Sequence, residues 1–293
     1  MITSHRVALV ALAAASVAAC GRKQDTAAPV ATPTVTIARP QVSIGSPLEM
    51  KYRFVVAPDA PPFNDDYWVF VHFLDADGEL MWTDDHQPAT PTRRWKPGET
   101  IEYERTMFVP KFPYTGQTVV EIGLFSRQTN QRLPLSGDTK GQRSYTVASF
   151  DLQPQNDTQF VVFKDGWHPT EVADDAIGTE WQWSKKEATL TFRNPKRDVT
   201  IYLQLDRPVA GYSEPLNVQI RIGEAVVDAF SLAPKQAELR KFPVTAPRLG
   251  SADTVEMKIV VDRTFVPAQV PELKSTDPRE LGVRVFRAYI ETR

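Results

Sequence analysis

What most limits the folding of this chain is its punctuation. Apolar residues come in short runs that alternate with polar ones, and the runs stop at turns built on Pro, Gly, Asp or Asn. Proline (24) outnumbers glycine (14), and Phe, Tyr and Trp together supply 10% of the residues. Alternation with period two places side chains on the two faces of a strand, so this mixture predicts many short strands and an all-β chain. At 293 residues the length suits two domains. With 42% hydrophobic and 24% charged residues the composition is that of a globular protein. The formal charge of −2 argues against nucleic acid as a partner, because such binders carry a basic face.

Strand signals recur from residue 35 to 153: Leu48–Val56, Tyr67–Leu74, Glu79–Trp82, Thr100–Val109, Thr118–Phe125 and Ser144–Leu152. Tyr67–Leu74 is apolar on both faces and reads as an interior strand. Asp75-Ala76-Asp77-Gly78 reads as the hairpin turn that follows it. About seven strands in this stretch predict an antiparallel, Ig-like β-sandwich. A polar break at Gln153–Asp157 marks a boundary. From 158 to 293 nine further runs predict a second antiparallel sandwich of jelly-roll layout. They are Gln159–Phe163, Glu180–Ser184, Ala188–Arg193, Val199–Asp206, Leu216–Ile222, Ala225–Leu232, Ala237–Val244, Thr254–Val261 and Val283–Glu291. Pairing of its first and last strands would bring the ends of that domain together.

The N-terminal segment carries an address. His5 and Arg6 precede an apolar run, Val7–Ala19, that is too short to span a bilayer and suits a secretory signal at residues 1–19. The run ends Val17-Ala18-Ala19-Cys20-Gly21, and Cys20 is the chain's one cysteine. This resembles the lipobox of bacterial lipoproteins. The resemblance implies diacylation (palmitate-type chains) of the Cys20 thiol, cleavage before it, and acylation of the new N-terminus. Acyl chains of this kind hold a protein on a membrane. Gly21 rather than Asp after the cysteine implies the outer membrane where one exists, with the protein on the periplasmic or cell-surface side. Residues 20–34, rich in Ala, Pro and Thr, read as lipidated Cys and flexible tether.

Two further resemblances rest on scattered motifs. VFVHFLDADGELMWTDDHQP (69–88), PTRRWKPGE (91–99), VVEIGLF (119–125) and NQRLPL (130–135) resemble the accessory β-sandwich of bacterial membrane glycosyltransferases. Phe125 stands where Tyr is common there. GWHPTE (166–171), WQWS (181–184) and DPRELGVRVF (277–286) resemble an accessory sandwich of envelope glycosylation proteins, laid out like a carbohydrate-binding module. Neither module brings catalytic residues.

The candidate ligand-binding residues are Trp167, Trp181, Trp183, Asp277 and Arg279. Trp181 and Trp183 lie two apart and share a strand face. They form either a platform for sugar rings or part of the core. Asp277 and Arg279 either clamp a ligand or tie a loop to a carboxylate, with Gly282 allowing close backbone approach. His72, Asp84, Asp85 and His86 form a candidate polar cluster; His72 is read as a packed histidine, and the acids as weak candidates for Ca²⁺. No cofactor or metal is expected. Asp84, Asp85, Glu171, Asp174 and Asp175 are the carboxylates that a glycan hydrolase could pair, but no nucleophile elbow, phosphate loop or dinucleotide fingerprint appears. The expectation is therefore a non-catalytic envelope lipoprotein that binds glycan or serves surface polysaccharide assembly. The alternative is a periplasmic module for protein interaction, and its partners would be envelope proteins.

Overall fold

A computed structural model describes residues 27–155, 160–174, 179–207, 214–234 and 237–293. The signal, Cys20 and the tether as far as residue 26 lie outside the described residues, as does Asp175. The chain is almost entirely β.

The first half contains β1 (Ala31–Ile37), β2 (Gln41–Ser43), β3 (Pro47–Val56), β4 (Trp68–Leu74), β5 (Leu80–Thr83), β6 (Thr100–Phe108), β7 (Gly116–Phe125), β8 (Asp138–Gly141) and β9 (Ser144–Gln153). One sheet has the order β1-β3-β6 and the other β2-β9-β7-β4-β5, with β8 paired to β9. Tyr52, Phe54 and Ile101 of the smaller sheet meet Val71, Phe73, Ile122 and Leu152 of the larger one in a single buried core. β4 has a neighbour on each side, as its two apolar faces predict.

Two expectations need correction. Ala31–Thr34 belongs to β1, not to the tether. β1 alternates buried and exposed residues along ATPTVTI. Proline there is tolerated because β1 lies at a sheet edge, where a missing N–H costs no ladder bond. The sheets are also not wholly antiparallel. The chain crosses between layers after β1, and β2 then runs parallel to β9 through Gln41–Ser43 and Asp151–Gln153.

The second half contains β10 (Val161–Phe163), β11 (Glu171–Val172), β12 (Glu180–Trp183), β13 (Glu187–Arg193), β14 (Val199–Asp206), β15 (Leu216–Ile222), β16 (Ala225–Leu232), β17 (Glu238–Val244), β18 (Thr254–Val261) and β19 (Arg284–Thr292). The sheets are β10-β13-β18-β15-β16 and β11-β12-β19-β14-β17. Their facing apolar residues, among them Leu190, Ile201, Leu203, Ile220 and Ile259, form a second core. The first and last strands do not pair. β10 pairs with β13, while β19 sits between β12 and β14 in the opposite sheet. β19 turns Val285 and Ile290 into the core between the two sheets.

β14 is buried on both faces, because its outer face is covered by the first domain. The Tyr202 hydroxyl lies 2.6 Å from Glu49 Oε1 on β3 and 2.9 Å from Glu291 Oε2 on β19. Lys241 pairs with the same Glu49 at 2.5 Å, and Arg39 pairs with Glu291. Burial opposes ionisation of Glu49, but the hydrogen bonds from Lys241 and Tyr202 outweigh it and hold the carboxyl below its usual range. The two sandwiches thus meet through a charged, hydrogen-bonded contact centred on Tyr202.

Candidate functional site

The polar cluster of the first domain is tied up internally. Asp84 accepts two hydrogen bonds from the Arg105 guanidinium, at 3.1 and 2.9 Å. Asp85 accepts from the Val71 backbone N–H at 3.0 Å. His86 is buried, its Nδ1 is 2.8 Å from the Asp84 carbonyl, and its Nε2 is 2.9 Å from the Tyr103 hydroxyl. Tyr103 stacks on Tyr52, whose ring meets His86 edge-on. Burial, then the Arg105 charge, pushes the His86 imidazole down to about 4. His72 is half-buried on the outer face of β4, 4.8 Å from the Phe70 ring, and burial lowers its pKa as well. Among the described residues no three His, Cys, Asp or Glu side chains converge as metal ligands.

Other motif residues of that domain serve the fold. Gly78 takes φ +85° in the turn after β4, where Asp75 Oδ1 accepts from Asp77 and Glu79. Trp95 is buried against Phe54 and Phe63 and donates to the Thr90 carbonyl at 2.8 Å. Arg132 places its guanidinium 4.2 Å over the Phe70 ring.

In the second domain the three scattered motifs converge. Gly166 sits so close to β13 that a Cβ would fall 2.1 Å from the Glu187 carbonyl. Lys185 N–H donates to Gly166, His168 N–H donates to Trp183, and Gly282 N–H donates to Ser184. Gly282 has no room for a Cβ against Ser184 and Lys185. Arg279 is held by Asp277, at 2.7 Å, and by Glu171 on β11, also at 2.7 Å. Hydrogen bonding to Asp277 raises the Arg279 pKa further and lowers that of Asp277. Trp167 donates to the Thr189 carbonyl at 2.8 Å and packs edge-on against Phe163. Trp183 is buried against Phe265, in a small core with Val270 and Leu281. Trp181 is half-buried beside it. The Arg284 guanidinium lies 4.9 Å from the Trp181 ring and 5.7 Å from the Trp183 ring, and is itself bound to Asp206 at 2.8 and 2.7 Å. Trp183 therefore packs as core, and the charges around the tryptophans are matched.

Unspent capacity lies next door, where the domains meet. A cleft of about 210 Å³ is bounded by the Ser43–Gly45 turn, Lys111 and Gln155 on one side and by Phe160, Phe163, Phe286, Arg287 and Tyr289 on the other. Phe160 is 58% exposed. Phe286 joins the cleft to Trp181, with ring centres 6.2 Å apart. Lys111 makes only a loose, exposed pair with Glu180 at 3.8 Å. Arg287 lies 5.8 Å from the Phe108 ring. Sequence reasoning missed these residues because they come from separate segments, each reading as ordinary strand or loop. The one local signal is the outer face of β19, where Arg287, Tyr289 and Glu291 alternate with apolar positions.

No protein-family model matches the chain, and no curated protein sequence does. Among solved structures, the C-terminal CBM6 module of LamC, a laminarinase of Zobellia galactanivorans, covers 46% of this chain and 99% of its own, at 10% identity and a TM-score of 0.28. The tandem CBM22 modules of Xyn10C from Paenibacillus barcinonensis cover 85% of this chain and 80% of theirs, at 11% identity and 0.30. The module CBM6cm-2 of Cellvibrio mixtus lichenase 5A, solved with cellotriose, covers 47% of this chain and 91% of its own, at 11% identity and 0.28. At these TM-scores and identities the likeness decides neither fold nor ligand, and both are read from the chain's own geometry.

Proposed function

We propose that the protein is a non-catalytic lipoprotein, tethered to the bacterial envelope through Cys20, that binds glycan in the cleft between its two sandwiches. The observation that carries the binding reading is the set of aromatic residues Phe160, Phe163, Phe286 and Tyr289 lining a cavity that Lys111, Gln155 and Arg287 also line. Aromatic faces suit the C–H faces of pyranose rings, and clefts at domain junctions are common ligand sites. The non-catalytic reading is supported by the carboxylates. Asp84 is paired with Arg105 and Glu171 with Arg279, so both carboxylates serve ion pairs within the fold. The tether reading rests on the Val17–Gly21 sequence, and the role in surface polysaccharide assembly rests on the motif resemblances alone.

The test is a calorimetric titration of the full-length chain, in mild detergent, with the source cell's purified envelope polysaccharide. Saturable heat that Phe286→Ala abolishes, with the circular dichroism spectrum unchanged, is the expected result. Absence of heat at millimolar sugar would reject glycan binding and direct the search to protein partners.

A further inference from the structure

We infer that the unit bound in the junction cleft carries an oxyanion, a carboxylate, sulfate or phosphate on the sugar, and that Arg287 reads it. This rests on the glycan reading above and narrows it to acidic glycans.

Several guanidiniums among the described residues are held by carboxylates. Arg105 holds Asp84, Arg240 holds Asp228 and Glu238, Arg279 holds Asp277 and Glu171, and Arg284 holds Asp206. Arg287 stands apart. It is half-buried, it lines the cleft, and among the described residues it makes no hydrogen bond or ion pair; its aromatic neighbour is Phe108. Burial lowers its pKa, opposed by the more distant charge of Glu180. Taking a guanidinium partly out of water without a counter-charge is costly, and an arriving anion recovers that cost.

The cleft also has the matching sign. Its charged lining among the described residues is Lys111 and Arg287, with no carboxylate. A guanidinium offers a planar fork of N–H donors that fits carboxylate, sulfate or phosphate in two parallel bonds. The aromatic wall beside it takes the apolar face of the ring that carries the anion. Arg287, Phe286 and Tyr289 come from one strand, so charge and stacking surface are fixed relative to each other. By contrast, Arg279 and Arg284 of the motif cluster are already bonded to acids and would have to break those pairs to bind an anion.

The test uses the full-length chain in mild detergent and three probes: a hexasaccharide of galacturonate, the same hexasaccharide methyl-esterified at its carboxyls, and inorganic phosphate. The acid should bind roughly 10- to 100-fold tighter than its ester, the worth of a charge-assisted pair. Added salt should narrow the gap in the unaltered protein. Arg287→Gln should bring the acid down to the ester, and Arg287→Lys should keep part of the difference. Equal binding of acid and ester would overturn the anion inference and leave the glycan reading standing. Arg287-dependent binding of phosphate with no binding of either sugar would keep the anion site and reject the glycan reading. Failure of all three probes would overturn both.

Discussion

His86 makes the first domain acid-sensitive by an amount that follows from its surroundings. Its ordinary pKa of 6.5 falls to about 4 in the folded chain, because burial and the Arg105 charge both disfavour the imidazolium. The folded-state value is depressed, so between about 4 and 6.5 the unfolded chain binds a proton that the folded chain refuses. Stability from this source is complete above pH 6.5 and is lost as pH falls through that window. Each pH unit of the window is worth about 1.4 kcal/mol, which sums to about 3 kcal/mol, a large part of the 5–15 kcal/mol typical of a domain. His86→Gln keeps a polar group near Tyr103 and cannot titrate. Urea unfolding across the window, followed by hydrogen-exchange protection of β3 and β6, separates this domain from the other. The native chain should lose about 3 kcal/mol more than the variant between neutral pH and pH 4. Parallel losses would refute the account of a desolvated, neutral His86.

Three other outcomes follow from the geometry. Gly166→Ala combines φ +82° with a Cβ 2.1 Å from the Glu187 carbonyl, and should destabilise the second domain by about 3 kcal/mol in thermal melts; an unchanged melting temperature would contradict the close approach. Trp183→Ala empties the small core against Phe265 and should cost roughly 3–5 kcal/mol, whereas a solvent-facing sugar platform would lose little stability. Cys20→Ser should release the protein from the membrane fraction and remove the lipid mass from its N-terminal peptide; a membrane-bound, unlipidated variant would reject the anchor.

Strong alternation made much of the fold legible. Val199–Asp206, Leu216–Ile222, Ala225–Leu232 and Thr254–Val261 form strands over the limits their patterns predict. β11, with two residues, is too short to show a period, and β1 hides its alternation behind Pro and Thr. The domain-two motifs were visible one by one, but their meeting around Ser184 and Gly282 depends on backbone contacts between distant segments. Whether the Asp277–Arg279 pair clamps a ligand or a loop was open in the sequence; in the fold Arg279 reaches Glu171 and ties the loop to β11. The cleft was invisible for a related reason. Phe160 and Arg287 gain meaning only when the docking of the two sandwiches, through Tyr202, places them beside the Ser43–Gly45 turn.

The central claim is that glycan enters the junction cleft and contacts its aromatic wall. Hydroxyl-radical footprinting of the full-length chain, with and without the purified envelope polysaccharide, reads those side chains directly. The account predicts that polysaccharide lowers the oxidation of Phe160, Phe163, Phe286 and Tyr289, while Trp68 and Leu80 on the first domain oxidise as before. Unchanged oxidation at the four cleft residues, or protection confined to other surfaces, would contradict it.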